Sequence, residues 1–273
     1  MSAKPSIFDL HLHTEFSPDS TISLEAYAQL AEKLEIHAGF LDHFELAFVN
    51  RPRYLNYENL PRLLDAFDQT KANYPNVSLG LEVDYYSDNA SGVAEFCDDI
   101  RNDFNYLMGT VHVIDGLAVT TLEELRVLVS RIGLPQIIER YFYEVEGAIK
   151  SKLFDGIVHI DGVMRFIPLY PTDPTLNEVW QRRTLELGKL CQRTGILIEV
   201  NLRGLNHPWG KMHPSQPLIE ELVQAGAQFY VGSDSHSLSD FEEAAPRLRQ
   251  VHRFLRERGG FGLPASLREL LED

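Results

Sequence analysis

Residues 8–13 read Phe-Asp-Leu-His-Leu-His, and this stretch decides the fold. Side chains of a strand alternate between faces, so an extended reading places Asp9, His11 and His13 on one face and Leu10 and Leu12 on the other. Two rises of roughly 3.3 Å set the two imidazoles about 7 Å apart, near enough to converge on one metal ion. The spacing returns close to the other end of the chain in Asp234-Ser235-His236. Taken alone, such a pair fits ordinary polar residues at a strand end as well as it fits a ligand pair.

Outward from this stretch, β-rich runs alternate with helical patterns. β-Branched and aromatic content bounded by turn residues predicts strands over Ser6–His13, His37–His43, Val77–Tyr86, Tyr106–Ile114, Gly156–Ile160, Gly195–Asn201 and Gln228–Ser233. Helices are predicted over Ser23–Glu35, Leu60–Asn73, Leu122–Ser130, Pro135–Lys150, Leu176–Thr194, Gln216–Ala225 and Asp240–Arg256. This alternation points to a parallel sheet with helices outside it. No linker, repeat or low-complexity segment divides the chain. The expectation is one barrel-like α/β domain over residues 1–273, with a core at about 6–240 and a C-terminal helical extension at 240–273. An open doubly wound sheet is the second choice, weakened because neither glycine-rich phosphate loop follows any strand.

Composition narrows the function. The chain has 40 acidic and 25 basic side chains among 273 residues, a net charge of −15, which argues against long nucleic acid or an anionic membrane as partner. A hydrophobic share of 44% with 24% charged residues is that of a globular protein and excludes disorder. Two isolated cysteines, Cys97 and Cys191, form neither a disulfide framework nor a thiolate metal site. The apolar runs fall short of the roughly 20 residues that span a bilayer. The start, Met-Ser-Ala-Lys-Pro-Ser, offers no signal-peptide core, so a cytoplasmic setting is expected.

The histidines carry the chemistry. His11, His13, His43, His112, His159 and His236 fall at or just past the C-terminal ends of predicted strands, the edge where α/β barrels build their sites. Glu82 joins them at the third strand and Asp234 at the last. Each histidine singly reads as a hydrogen-bonded structural residue. Together, so many imidazoles and carboxylates at one edge need partners that packing does not supply, and metal ions supply them.

These residues also carry a resemblance. Asp9-Leu10-His11-Leu12-His13-Thr14 with Phe16-Ser17 and Asp19, Asp42-His43, Gly80-Leu81-Glu82-Val83-Asp84, Gly109-Thr110-Val111-His112, His159-Ile160-Asp161 and Gly232-Ser233-Asp234-Ser235-His236 resemble, in order, the motifs of the PHP (polymerase and histidinol phosphatase) family. The match runs from residue 6 to about 240, and the segment around His112 resembles the histidinol-phosphate phosphatase subgroup more than the polymerase-linked domains. The resemblance implies a distorted (β/α)7, TIM-like barrel holding up to three divalent ions. His11, His13, Glu82 and Asp234 would hold one, Glu82 would bridge to a second held by His112 and His159, and Asp19, His43 and His236 would hold a third. Asp19 in Ser-Pro-Asp-Ser also fits a turn before a helix. Asp9 and Asp161 are expected to orient histidine rings, and strand-edge hydrogen bonding is the other reading of both. Two departures, Leu41 before Asp42-His43 and Ser235 within the last motif, remove no ligand.

Mixed imidazole and carboxylate ligands without thiolate suit Zn, Fe or Mn, with Zn preferred. The expected reaction is hydrolysis of a small phosphate monoester by a metal-bound hydroxide near Glu82. The resemblance makes histidinol phosphate the leading substrate. Arg165 and Arg203 follow barrel strands where the family places phosphate-binding arginines, and each also reads as a surface arginine. His207, Lys211 and His213 either reach the leaving group or decorate a loop, and the general acid and the oligomeric state stay open. His37 and His252 read as structural or solvated. Other readings are a PHP-type phosphoesterase acting on a nucleotide or another small phosphoester, an amidohydrolase-type C–N hydrolase, and a metal-binding scaffold without catalysis. The C–N hydrolases usually bridge their metals with a carboxylated lysine, and no lysine lies in a predicted strand core. Three divalent ions against three carboxylates would leave the pocket positive inside an acidic protein. That favours a small substrate bearing both a phosphate and a cationic amine.

Overall fold

The computed structural model describes residues 6–171 and 174–271. Nine strands and eight α-helices follow one another along the described chain. The strands are β1 (Ile7–Leu12), β2 (Ile36–Phe44), β3 (Val77–Asp84), β4 (Tyr106–Thr110), β5 (Val113–Ile114), β6 (Leu117–Ala118), β7 (Gly156–Ile157), β8 (Leu197–Asn201) and β9 (Phe229–Gly232). The helices are α1 (Leu24–Leu34), α2 (Leu60–Asn73), α3 (Ala90–Ile100), α4 (Leu122–Ile132), α5 (Leu134–Ser151), α6 (Pro174–Thr194), α7 (Gln216–Gln224) and α8 (Leu238–Glu257). Seven strands form one parallel sheet in the order β1-β2-β3-β4-β7-β8-β9, while β5 and β6 make a separate antiparallel hairpin. The ring closes past β9, where the Asp234 N–H donates to the His11 carbonyl at 2.9 Å and the His13 N–H donates to the Ser235 carbonyl at 3.0 Å. The closure is a barrel of seven parallel strands, as expected.

Phe8, Leu10, Leu41, Tyr106, Met108, Leu197 and Tyr230 come from strands around the ring and, with Val158 just past β7, form one buried cluster, which fills the barrel interior. A larger core lies between the sheet and the helices. Helix α1 shows how that outer layer forms. Ser23 caps it by accepting from the Ala26 N–H, its apolar face buries Leu24, Tyr27, Ala28 and Ala31, and Glu35 ends it in the left-handed region. Helix α8 docks on β1 through His252, whose Nε2 lies 2.6 Å from the Phe8 carbonyl.

Three differences from the sequence reading bear on the site. Between Asp9 and Leu12 the register of β1 on β2 shifts, with three steps of β1 against two of β2. This bulge breaks strict alternation: Leu10 stays in the inner cluster, His11 reaches the site, and Leu12 joins the outer core. The predicted strand 106–114 stops at Thr110, and a hairpin follows in which Asp115 and Gly116 both have positive φ, 50° and 75°. An Asp-Gly pair favours that two-residue turn. Finally, β7 ends at Ile157, two residues before His159, whose φ is 26°. Helix α3 was also missed by the periodicity reading, although it buries Val93, Phe96, Cys97 and Ile100. The residues before Ser6, on which the leader reading rests, and 272–273 at the end of the C-terminal extension lie outside the described residues. Among the described residues no helix is long and apolar enough to cross a membrane.

Two histidines remote from the site set a pH dependence. Burial, then Lys71, pushes the His37 imidazole down to about 4. Burial does the same to His252, also to about 4, against the opposing pull of its Phe8 hydrogen bond. Both are neutral in the fold and would titrate near 6.5 when unfolded. Their contribution is therefore present above pH ~6.5 and lost as pH falls through about 4. Urea midpoints should decline over that window, and His37→Phe should flatten the slope whatever it does to the midpoint at neutral pH. An equal slope in the variant would contradict the assignment.

Candidate functional site

The site starts from Glu82, in β3, with no exposed surface. Its Oε2 lies 2.8 Å from His43 Nδ1, 3.5 Å from His11 Nε2 and 3.8 Å from His13 Nε2. Its Oε1 lies 3.3 Å from His112 Nε2 and 3.4 Å from His159 Nε2. Neither oxygen makes a hydrogen bond. A buried carboxylate ringed by imidazole nitrogens, yet bonded to none, has the geometry of a group that shares cations with them.

The rings behind it fix which nitrogen faces inward. His11 Nδ1 lies 2.6 Å from Glu199 Oε1, and His112 Nδ1 lies 3.1 Å from Glu45 Oε1. A carboxylate only accepts, so in the neutral rings Nδ1 carries the proton and Nε2 presents a lone pair. Each faces another ring nitrogen: His11 Nε2 is 2.9 Å from His13 Nε2, and His112 Nε2 is 3.3 Å from His159 Nε2. Nitrogens this close need a proton or a metal ion between them, and a metal ion there is the fit expected of a metal centre. Among the described residues His11, His13 and Asp234 form one group able to hold an ion, and Glu82, His112 and His159 a second. His13, Asp19, His43 and His236 form a third, and His43, Glu45 and His112 a fourth. The structure thus brings together all the expected His, Asp and Glu ligand candidates. Asp19 is the outermost, its side chain 53% exposed and its Oδ2 2.9 Å from His236 Nε2.

The charges are consistent with this arrangement. Burial opposes ionisation of Glu82, but His112, His43 and His11 hold its carboxyl well below the usual range. Asp234 is likewise held far down, against burial, by His11 and its contact with His13. Burial, then His236 and His43, pushes the His13 imidazole well below its ordinary value. Burial alone would lower His112, yet Glu82 and Glu45 raise it to about 10. Glu82 and Asp234 therefore stay anionic.

Backbone geometry delivers these groups. His159 and Asp234 both sit at positive φ, 26° and 57°, just past β7 and β9. Such conformations cost about 1–3 kcal/mol and persist where the surroundings fix them. Here the His159 N–H donates to Glu199 Oε2 at 2.9 Å, and Asn201 Nδ2 donates to Asp234 Oδ2 at 3.1 Å. Gly232 completes the arrangement: a Cβ there would collide with Glu199 Oε1 and the His11 Cβ. Ser17 links the first two loops, its Oγ donating to Asp42 Oδ1 at 2.7 Å and lying 3.0 Å from His13 Nδ1.

Asp9 and Asp161 divide between the two readings. Asp9 Oδ1 accepts from the N–H groups of His11 and Ser233, clamping two backbones and touching no ring. Asp161 does orient a ring, that of His213, whose Nδ1 lies 2.8 Å away, and accepts from Trp180 Nε1. Arg165 lines the same cavity as the ligand candidates, a space of about 210 Å³, with Nη2 3.8 Å from Asp234 Oδ2. Arg203 is outside that lining; its Nη1 donates to the Asp234 carbonyl at 3.0 Å and to Asp240 Oδ2 at 3.3 Å. Sequence reasoning missed Glu45 and Glu199. Glu199 had a signal, an acidic side chain inside the apolar strand Leu197–Asn201.

Comparison with known proteins accords with this geometry. The PHP domain model matches residues 9–203. A Deinococcus radiodurans protein named "Probable histidinol-phosphatase" is 28% identical over 258 residues, covering 89% of this chain and 93% of that one. The crystal structure of a "putative histidinol phosphatase" from Listeria monocytogenes superposes with a TM-score of 0.79 at 20% identity, covering 88% of this chain and 99% of that chain. A Lactococcus lactis histidinol phosphate phosphatase, complexed with Zn, L-histidinol and phosphate, gives a TM-score of 0.66 at 18% identity, over 90% of this chain and 93% of that one.

Glu199 spans the His11 ring, the His159 backbone and Asn201. Glu199→Ala should weaken zinc binding by about 10–100-fold, the usual scale for a carboxylate behind a ligand histidine. Competition against a chromophoric chelator measures this, and wild-type affinity in the variant would contradict the assignment.

Proposed function

Because the chain belongs to the PHP domain family, we propose that it is a metal-dependent phosphomonoester hydrolase and that its substrate is L-histidinol phosphate. The observation that carries this reading is the pairing, in one cavity, of the unbonded Glu82 carboxylate ringed by imidazole nitrogens with the Arg165 guanidinium. In the proposed assignment His11, His13, Glu82 and Asp234 hold one divalent ion, and Glu82, His112 and His159 a second. Asp19, His43 and His236 hold the third, and zinc is the preferred metal. Such ions supply Lewis acidity that activates water and offsets the charge of a phosphate.

The chain's own residues do the rest. Arg165 offers a planar, bidentate donor set to phosphate oxygens, and its 17% side-chain exposure keeps competing water scarce. Burial lowers its affinity for a proton, with Asp234 opposing, yet a guanidinium stays charged at neutral pH. Arg203 braces the Asp234 carbonyl, and it is the second proposed phosphate-side guanidinium. Asn201 ties β8 to Asp234, and the Ser233 N–H contact to Asp9 ties the last strand to the first, so the ligand groups do not drift during turnover.

The relatives named above favour the histidinol ester over the nucleotide alternative. A C–N hydrolase is disfavoured further by the described strands, none of which contains a lysine.

Phosphate release by zinc-loaded protein from L-histidinol phosphate, nucleoside monophosphates and sugar phosphates tests the reading. kcat/KM for histidinol phosphate should exceed the others by at least about a hundredfold, within the roughly 10⁴–10⁵ that sites hydrogen-bonding a distinguishing group can reach. Preference for a nucleotide would displace it. Arg165→Ala should lower kcat/KM by about 10²–10³ without loss of metal, as expected for a donor to the developing charge.

A further inference from the structure

One carboxylate in the cavity is left over from the ligand assignment. Glu45 follows β2 directly and is 7% exposed. Its backbone carbonyl accepts from the Phe48 N–H at 2.8 Å, which fixes the turn that carries it. Its Oε1 is taken by His112 Nδ1, while its Oε2 is buried without a hydrogen-bond partner. An unpaired, buried carboxylate oxygen is costly, and the cost is relieved when a ligand donor arrives. The wall beside it is aromatic: Phe48 and Tyr54 line the same cavity and pack edge to face at 5.5 Å. The opposite charge, Arg165, lines that cavity too. At about 210 Å³ the space is below the roughly 300–1,000 Å³ of drug-sized pockets, which suits a small metabolite.

We infer that Glu45 is the specificity-determining residue of this site: its free oxygen receives the ammonium of a substrate whose phosphate is held at the Arg165 side, against the Phe48 and Tyr54 wall. The inference rests on the phosphatase reading and adds the chemical class that the site selects, a primary amine a few bonds from the phosphoester. An anchor for each end of the substrate also explains how an acidic protein retains a small zwitterionic ester and leaves neutral-tailed phosphates to dissociate. The same carboxylate keeps the His112 proton on Nδ1, so the two duties must be separated by experiment.

Glu45→Gln does so. The amide oxygen still accepts from His112 Nδ1, but the charge that attracts the ammonium is gone. With zinc-loaded protein, kcat/KM should fall about 10–100-fold for L-histidinol phosphate, mostly through KM, the range seen for losing a charged hydrogen bond. For the deamino analogue it should change less than about threefold, and zinc content should match wild type. A parallel fall for both esters, no fall for either, or loss of a zinc equivalent would overturn the inference. Calorimetry with L-histidinol supplies a readout apart from turnover. Wild type should bind it at least about tenfold more tightly than Glu45→Gln, one charge-assisted contact, and equal affinities would overturn the assignment. If the wild type hydrolyses neither ester, the phosphatase reading fails, and the L-histidinol affinities still decide the role of Glu45.

Discussion

The structure depends on one buried anion. Glu82 lies fully buried among five imidazoles, and its oxygens face nitrogens from β1, β2 and the segments after β4 and β7. Removing a carboxylate from water is expensive unless opposite charge compensates it. Rings whose Nδ1 protons are held by Glu199 and Glu45 supply that compensation only by taking a second proton, as the rise of His112 to about 10 reflects, or by binding a cation. The barrel is therefore arranged around a demand for cations, and each nearby feature serves it. Glu199 and Glu45 hold protons on the outer ring nitrogens of His11 and His112. The bulge in β1 aims His11 inward, and Gly232 leaves room for the Glu199 carboxylate behind it.

The same arrangement explains why two of the proposed ligands, His159 and Asp234, sit at strained backbone just past their strands. A parallel barrel offers its strand ends as fixed points, and the residues just beyond them are free of the ladder. His159 and Asp234 use that freedom to adopt left-handed backbone, and side chains of neighbouring strands lock them there. Catalytic capacity at this edge is separated from stability, which resides in the inner cluster and in the layer under the helices.

Much of this was legible in the residues. The seven barrel strands and their order follow from alternation, and ligand types at strand ends mark themselves because histidine and carboxylate have no packing reason to gather there. What escaped did so for physical reasons. Asp115-Gly116 turns the chain with two positive φ angles, so one predicted strand became β4 and a hairpin. Strict period-two reading placed Asp9 beside His11, and the bulge moved it to backbone contacts instead. Glu45 and Glu199 act on ring nitrogens from strands distant in sequence, by |i−j| of 67 and 188, and no local pattern reports such a contact. Arg165 and Arg203 look alike in sequence, yet only Arg165 lines the cavity.

The central claim is that Glu82 is a shared metal ligand. Elemental analysis of zinc-loaded, desalted protein, wild type beside Glu82→Gln, tests it most directly. The account predicts roughly two or more zinc ions per wild-type chain, as for bridged two-metal sites, and at least one fewer in the variant, with the fold retained by circular dichroism. Equal zinc in both proteins, or only trace zinc in the wild type, would contradict it.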